Sequence, residues 1–297
     1  MMSSSSSLAC ARAVCPVASR RNAVLTQAQA QAHAQAADIY EPAAVRRLFD
    51  RMSRSYELVN IVLSLGFSVR WRRELAQLVP MQAEGASILD AMCGMGETWR
   101  ALQRRFPAAR FAALDFAPHM AERARARNAV RHQGRFVVHE RDMLDNGLPD
   151  AGFDVVLSAY GVKTFDAAQS GLFAQELARI LRPGGRFAFI EVTQPANPLL
   201  RALYGLYIGA VVPALARVIV ADAEEYRMLG RYVRDYGDGR RTQDALAAHP
   251  QLVVETRRHF FGCATSFSGY RLPGAWPGHV GPGPASPARP CSGRMAT

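Results

Sequence analysis

The chain has 297 residues, of which 49% are apolar and 21% charged. That length suits one large α/β domain or two small ones, and the balance excludes a collagen, a coiled coil, wholesale disorder and a membrane bundle. The formal charge of +11 would suit an anionic partner such as nucleic acid or a lipid surface, but it is unevenly placed: nine Arg and two acids lie between Arg100 and Arg135, while 136–196 is net negative. Neither aromatic interleaving nor a nucleic-acid motif accompanies the basic block. It reads as the charged outer faces of sheet-flanking helices, with attraction to an anionic membrane surface as its functional version. Lys163 is the single Lys among 36 basic residues. The five Cys show neither zinc spacing nor a disulfide framework, which points to a reducing compartment and no metal.

Residues 1–37 contain no acid, are rich in Ser, Ala and Gln, and carry Arg12, Arg20 and Arg21. This composition fits either an organellar transit peptide, with a mitochondrial or plastid destination, or a disordered leader on a cytoplasmic or peripheral inner-membrane protein. Residues 273–297 are too rich in Pro and Gly for a packed element. Between them, 38–272 reads as one domain.

Within that domain, strands are expected at Ala86–Asp90, Phe111–Asp115, Arg135–His139, Phe153–Ala159 and Arg186–Val192. Helices are expected at Thr98–Phe106, Pro118–Val130 and Ala167–Leu181, the last stopped by Pro183 and Gly184. Strands alternating with helix-length segments predict an α/β, Rossmann-like, mostly parallel sheet with helices on both faces. A cap insertion over about 196–240 follows, and Leu252–Thr256 and Cys263–Tyr270 supply two last strands, making a seven-stranded sheet. In the cap, Ala202–Ala216 is uncharged between Arg201 and Arg217; its fifteen residues fall short of the ~20 that span a bilayer, and Pro213 interrupts them. The segment fits a buried helix pair, or a lid over a pocket for a polyprenyl tail that touches the membrane surface.

The first strand runs into LDAMCGMGE. Asp90 ends the strand, and Gly94 and Gly96 occupy a turn in which backbone N–H groups can approach a ligand closely. Asp115, 19 residues past Gly96, stands where an acid that binds ribose hydroxyls belongs, and Asp142 with Met143 is placed to flank an adenine. Such a set serves NAD, FAD or S-adenosylmethionine. Trp99 replaces the third Gly of the dinucleotide fingerprint, which counts against a nicotinamide.

The domain resembles the UbiE/MenG-type quinone methyltransferases, a branch of the class I S-adenosylmethionine-dependent methyltransferases. The resemblance is carried by LFDRMSRSYELVNIVLSLGFSVRWRR, ILDAMCGMGE, ALDFAPHM, GFDVVLSAYGVKTF, ARILRPGGRFAFIEVTQP and ADAEEYRMLGRYVRDY. It implies cofactor contacts from Asp90, Gly94, Met95 and Gly96 in the loop, Asp115 at the ribose, Asp142 and Met143 at the adenine, and Ala159 at the end of the fourth strand. Cys93, Met95 and Ala159 depart from the family's common Gly, Thr and Ser, and Gly161 to Thr164 reads Gly-Val-Lys-Thr where Gly-Leu-Arg-Asn is usual.

An ammonium, unlike a guanidinium, can give up its proton when desolvated, so Lys163 is a candidate to stabilise a phenolate or assist its formation, with Tyr160 as the second catalytic candidate. The implied function is C-methylation of a prenylated benzoquinol or naphthoquinol, an apolar aromatic substrate, by a monomer or homodimer with peripheral membrane contact. Two alternatives stay open: methylation of another aromatic or polyketide metabolite, and a non-catalytic scaffold that keeps the cofactor fold.

Overall fold

The computed structural model describes residues 39–53, 56–219 and 224–274. The leader and most of the Pro/Gly-rich tail lie outside them. Three helices come first: α1 (Pro42–Met52), α2 (Tyr56–Leu63) and α3 (Phe67–Gln77). The α/β body then runs β1 (Ser87–Ala91), α4 (Trp99–Arg105), β2 (Arg110–Asp115), α5 (Pro118–Arg131), β3 (Phe136–Glu140), β4 (Phe153–Ala159), α6 (Ala167–Ile180) and β5 (Leu181–Val192). The cap holds α7 (Pro198–Leu206), α8 (Val212–Ile219) and α9 (Glu224–Tyr236), and α10 (Arg240–Ala248), β6 (Leu252–His259) and β7 (Ala264–Arg271) close the domain.

The seven strands are ordered β3-β2-β1-β4-β5-β7-β6, with β1 to β5 parallel to one another and β7 antiparallel to both β5 and β6. The seven expected strands are all present, most within a residue or two of their sequence bounds. Chain order reverses between β1 and β4, and at such a switch point the loops leaving adjacent strands diverge and open a crevice. Apolar residues fill both faces of the sheet. Leu89, Leu114, Val156, Phe187 and Phe189 pack on one side, and Ile88, Ala113, Val155, Leu157 and Ile190 on the other.

The cap departs from its sequence expectation. Pro198 to Ile219 is one continuous helical run, and Pro213 does not interrupt it. A wide π turn over Tyr207–Val211, in which the Val212 N–H donates to the Tyr207 carbonyl, precedes the proline and absorbs the hydrogen bond its ring nitrogen cannot make. Pro198–Leu215 is long and apolar enough, by length and composition, to cross a membrane, with mean hydropathy 1.5, and 11% of it is buried.

Candidate active site

Two non-glycine residues stand in left-handed backbone at the switch point: Met92 (φ 52°) after β1 and Tyr160 (φ 67°) after β4. Each such conformation costs about 1–3 kcal/mol and persists where surrounding structure holds it. The two turns touch: a Cβ on Gly161 would lie 2.7 Å from the Met92 sulfur, so Gly161 is required by close approach.

The cavity above these turns is lined by Asp90, Gly94, Asp115, Asp142, Met143 and Ala159, which sequence reasoning had gathered, together with Tyr160. Asp115 is held by its own loop: Oδ2 accepts the Gly94 N–H at 2.8 Å and Oδ1 the Ala117 N–H at 3.0 Å. Asp142 Oδ1 accepts the Leu144 N–H at 2.9 Å, fixing the turn after β3. Asp90 Oδ2 accepts the Thr98 hydroxyl and, at 3.0 Å, the Trp99 indole N–H. Burial pushes the carboxyls of Asp90 and Asp115 up to about 7, against the pull of these donors.

Two of the expected residues are not among those lining the cavity. Met95 is buried with Tyr40, Val45 and Met120, which do line it, and its N–H donates to Glu97 Oε2 at 3.2 Å, while Gly96 lines a neighbouring cleft. Gly96 answers to packing instead, since a Cβ there would come within 2.5 Å of the Trp99 ring.

Sequence reasoning missed the roof. Tyr40, Val45 and Phe49 close the cofactor cavity from the amino-terminal side. Gln169 donates through Nε2 to the Tyr40 carbonyl (3.1 Å), and Arg241 donates to both the Tyr40 hydroxyl and the Phe165 carbonyl at 2.9 Å. These anchors come from α6 and α10, more than a hundred residues away, and no local pattern shows them.

A second, apolar cavity of about 410 Å³ lies under the cap, walled by Leu203, Tyr204, Ile208, Val233, Trp71 and Phe67. Lys163 opens into it, and Tyr160 lines both cavities. Lys163 is 4% exposed; its Nζ donates to the Tyr160 carbonyl at 2.6 Å and to Glu191 Oε1 at 3.1 Å. Glu191, fully buried at the end of β5, also accepts the Lys163 N–H at Oε2 (3.1 Å) and the Val192 N–H at Oε1 (2.8 Å). The acid in the apolar run FAFIEVT was the available signal for this partner, since an unpaired charge there would be prohibitively desolvated. The Tyr160 hydroxyl donates to the Ser68 carbonyl at 3.0 Å.

The residues fit S-adenosylmethionine on a test internal to the structure. Asp90 Oδ1 and Glu97 Oε1 are buried carboxylate oxygens without hydrogen-bond partners, and both residues line the cofactor cavity. Unsatisfied acceptors of this kind call for a cationic or N–H-bearing ligand, and this cofactor carries an ammonium and a sulfonium.

A switch-point crevice lined by Asp90, Asp115 and Asp142 at the ends of parallel strands, with buried acceptors left without partners, fits the class of S-adenosylmethionine-dependent methyltransferases. A solved structure described as a putative S-adenosyl-L-methionine-dependent methyltransferase from Methanococcus maripaludis shares the fold, with TM-score 0.51, 17% identity, and 78% of this chain and 94% of that one covered. The model of the ubiE/COQ5 methyltransferase family matches residues 36–271, and the chain belongs to that family. It is 32% identical over 246 residues to a demethylmenaquinone methyltransferase of Clavibacter sepedonicus, covering 83% of this chain and 96% of the relative. It is 34% identical over 185 residues to the ubiquinone/menaquinone biosynthesis C-methyltransferase UbiE of Syntrophotalea carbinolica, covering 62% of this chain and 76% of the relative.

Proposed function

We propose that this methyltransferase C-methylates a prenylated benzoquinol or naphthoquinol. The observation that carries the proposal is the meeting of the two cavities at Tyr160, one with Asp90, Glu97, Asp115 and Asp142 in its lining, the other apolar with a single ammonium at its base. Asp115 would accept the ribose hydroxyls, Asp142 and Met143 would flank the adenine, and Asp90 and Glu97 would face the cationic amino-acid end. Bound there, the cofactor supplies an electrophilic methyl group whose C–S electron pair stays on sulfur, while the ring carbon that receives it gives up its hydrogen as one proton.

The chain's own residues do the rest. The apolar wall of Leu203, Tyr204 and Ile208 holds the ring and the start of its tail and excludes water, so the reacting atoms are aligned before any charge develops. A ring carbon is nucleophilic when the neighbouring hydroxyl is ionised. Lys163 supplies a cation for that phenolate, and Glu191 fixes the direction of the ammonium through the ion pair at 3.1 Å. This favours electrostatic stabilisation over proton abstraction for Lys163. Tyr160, its hydroxyl engaged with Ser68, serves as the wall between the cavities and as the carbonyl that holds Lys163.

The apolar face turned outward beside the cavity mouth includes Leu199, Leu203 and Leu206, between 57% and 69% exposed, with Phe261 at 76%. It supports a peripheral contact with the membrane in which a prenylated quinol resides. The test is complementation of a quinone-methylation-deficient strain with mass spectrometry of its lipid extract. A methylated quinone restored by the wild type and not by Lys163→Met is expected. Binding of S-adenosylmethionine without any methylated quinone would instead favour another aromatic substrate, and absence of cofactor binding would favour a scaffold.

A further inference from the structure

On the far side of the α2–α3 pair from the apolar cavity lies a third concavity, of about 770 Å³. Helix α3 presents Phe67, Ser68 and Trp71 to the apolar cavity and Val69, Arg72, Arg73 and Ala76 to this cleft, positions that fall on opposite faces at 3.6 residues per turn. Seven Arg line the cleft against two acids, Glu57 and Glu97. Glu57 is already paired with Arg127, and Glu97 Oε2 accepts the Met95 N–H at 3.2 Å. Arg73, Arg100, Arg104 and Arg131 have no ion pair with any described residue.

The floor is more telling than the rim. Arg72, which lines both this cleft and the cofactor cavity, is 6% exposed, has no hydrogen bond or ion pair among the described residues, and lies over the Tyr160 ring, 5.2 Å from its centroid. Arg105 donates to the Val79 carbonyl at 3.1 Å, yet its buried Nε has no partner. Helices that merely need solvated outer faces would spread their guanidinium groups over a convex surface. Here like charges converge on one concavity, with desolvated donors at its base, which is costly unless an anion completes it.

We propose that this cleft binds a multiply charged phosphate ligand, a di- or triphosphate group received by Arg100 and Arg104 from α4, Arg131 from α5, and Arg72 and Arg73 from α3. Guanidinium forks match phosphate oxygens bidentately, and neutralising this many cations in one cavity calls for several negative charges on a compact ligand. No residue of the cap lines the cleft, so a soluble oligophosphate fits its placement better than a headgroup in a bilayer that the cap touches. The cleft shares Arg72 and Glu97 with the cofactor cavity, whereas Arg73, Arg100, Arg104 and Arg131 line the cleft alone, and the proposal stands whatever the methyl acceptor is.

The test is calorimetric titration of the full chain with inorganic triphosphate at fixed ionic strength. Saturable one-to-one binding is expected, weakened roughly tenfold or more in Arg100→Gln/Arg104→Gln, while the equal-charge control Arg123→Gln/Arg234→Gln, outside the cleft, stays within about twofold. Thermal melts of both variants establish that each is folded. A parallel flotation assay uses phosphatidylcholine vesicles with and without cardiolipin. Cardiolipin-dependent flotation lost in the cleft variant, with no triphosphate binding, assigns the phosphate groups to a lipid. Equal weakening by the control pair, or no saturable binding to either probe, overturns the proposal.

Discussion

The cofactor cavity and the apolar cavity share one residue, Tyr160, and are otherwise built from different materials. The first is made of turns at the ends of adjacent parallel strands, its side chains tied to backbone N–H groups within a few residues, as Asp115 is to Ala117 and Asp142 to Leu144. The second is made of helix faces drawn from α2, α3, α7, α8 and α9, with one ion pair, Lys163–Glu191, bridging 28 residues at its base. A cavity of short loops can hold one invariant polar ligand with little adjustment. A cavity between helices and under an exposed lid can vary in shape, which suits an apolar ligand of variable length.

That contrast breaks most visibly at its shared wall. Lys163→Met should lower kcat by about 100- to 1,000-fold, the scale of removing one preorganised charge-stabilising group, with cofactor affinity nearly unchanged. It should also destabilise the fold by about 3–5 kcal/mol, because Glu191 is left buried without its partner. Lys163→Arg should recover part of kcat. Steady-state kinetics beside denaturant unfolding separates the two effects, and an unchanged kcat would remove Lys163 from the chemistry.

Asp115→Ala belongs to the cofactor side alone. Loss of a charged acceptor for the ribose should raise the cofactor Kd by roughly 10- to 100-fold in titration calorimetry and leave the dependence on substrate tail length untouched. A change in tail dependence would mean that the two cavities are not independent.

The same side should carry the pH dependence. Asp90 and Asp115 have folded values of about 7 against an ordinary 3.8, so between those limits the folded protein binds more protons than the unfolded chain. Stability of the free protein should therefore be greatest at the acid end of that window and fall as pH rises toward 7. Affinity for the cationic cofactor should rise over the same interval, as the carboxylates ionise. Melting temperature and Kd measured from pH 5 to 8 test both signs, and Asp90→Asn should flatten both slopes.

The smallest expected effect lies in the lid. Tyr204→Ala should raise KM for a long-tailed quinol by about 10-fold, within the range for removing apolar contacts from a pocket, and change cofactor Kd by less than twofold. Comparing a tail-less quinol with a long-tailed one in the same assay sharpens the assignment, since the former should lose little.

What was legible in the sequence follows the same division. Asp90, Asp115, Asp142 and Met143 could be placed because each stands at the end of a strand recognisable from its apolar run, and parallel β-α order brings strand ends to one edge. The burial of the Met95 side chain was not legible, because a loop residue's position in the chain does not say which way its side chain turns, and here it turns into the cluster with Tyr40. The roof of Tyr40, Val45 and Phe49 could not be read from local pattern, since its anchors Gln169 and Arg241 lie far along the chain.

The basic block gives the clearest instance. Counting located its charge between Arg100 and Arg135, and helix periodicity alone put that charge on outer faces. The packing of α3 against α4, with α5 alongside in the cleft wall, turned part of that surface into a concavity and added Arg72 and Arg73 from another segment. The sequence by itself determined the strands along the chain, the glycine-bearing loop after the first of them and the single Lys, because those follow from short-range pattern and composition. Only the tertiary structure decided that Lys163 meets Glu191, that the proline-bearing cap runs unbroken with an exposed apolar face, and that scattered arginines converge, because each depends on distances that chain separation does not encode.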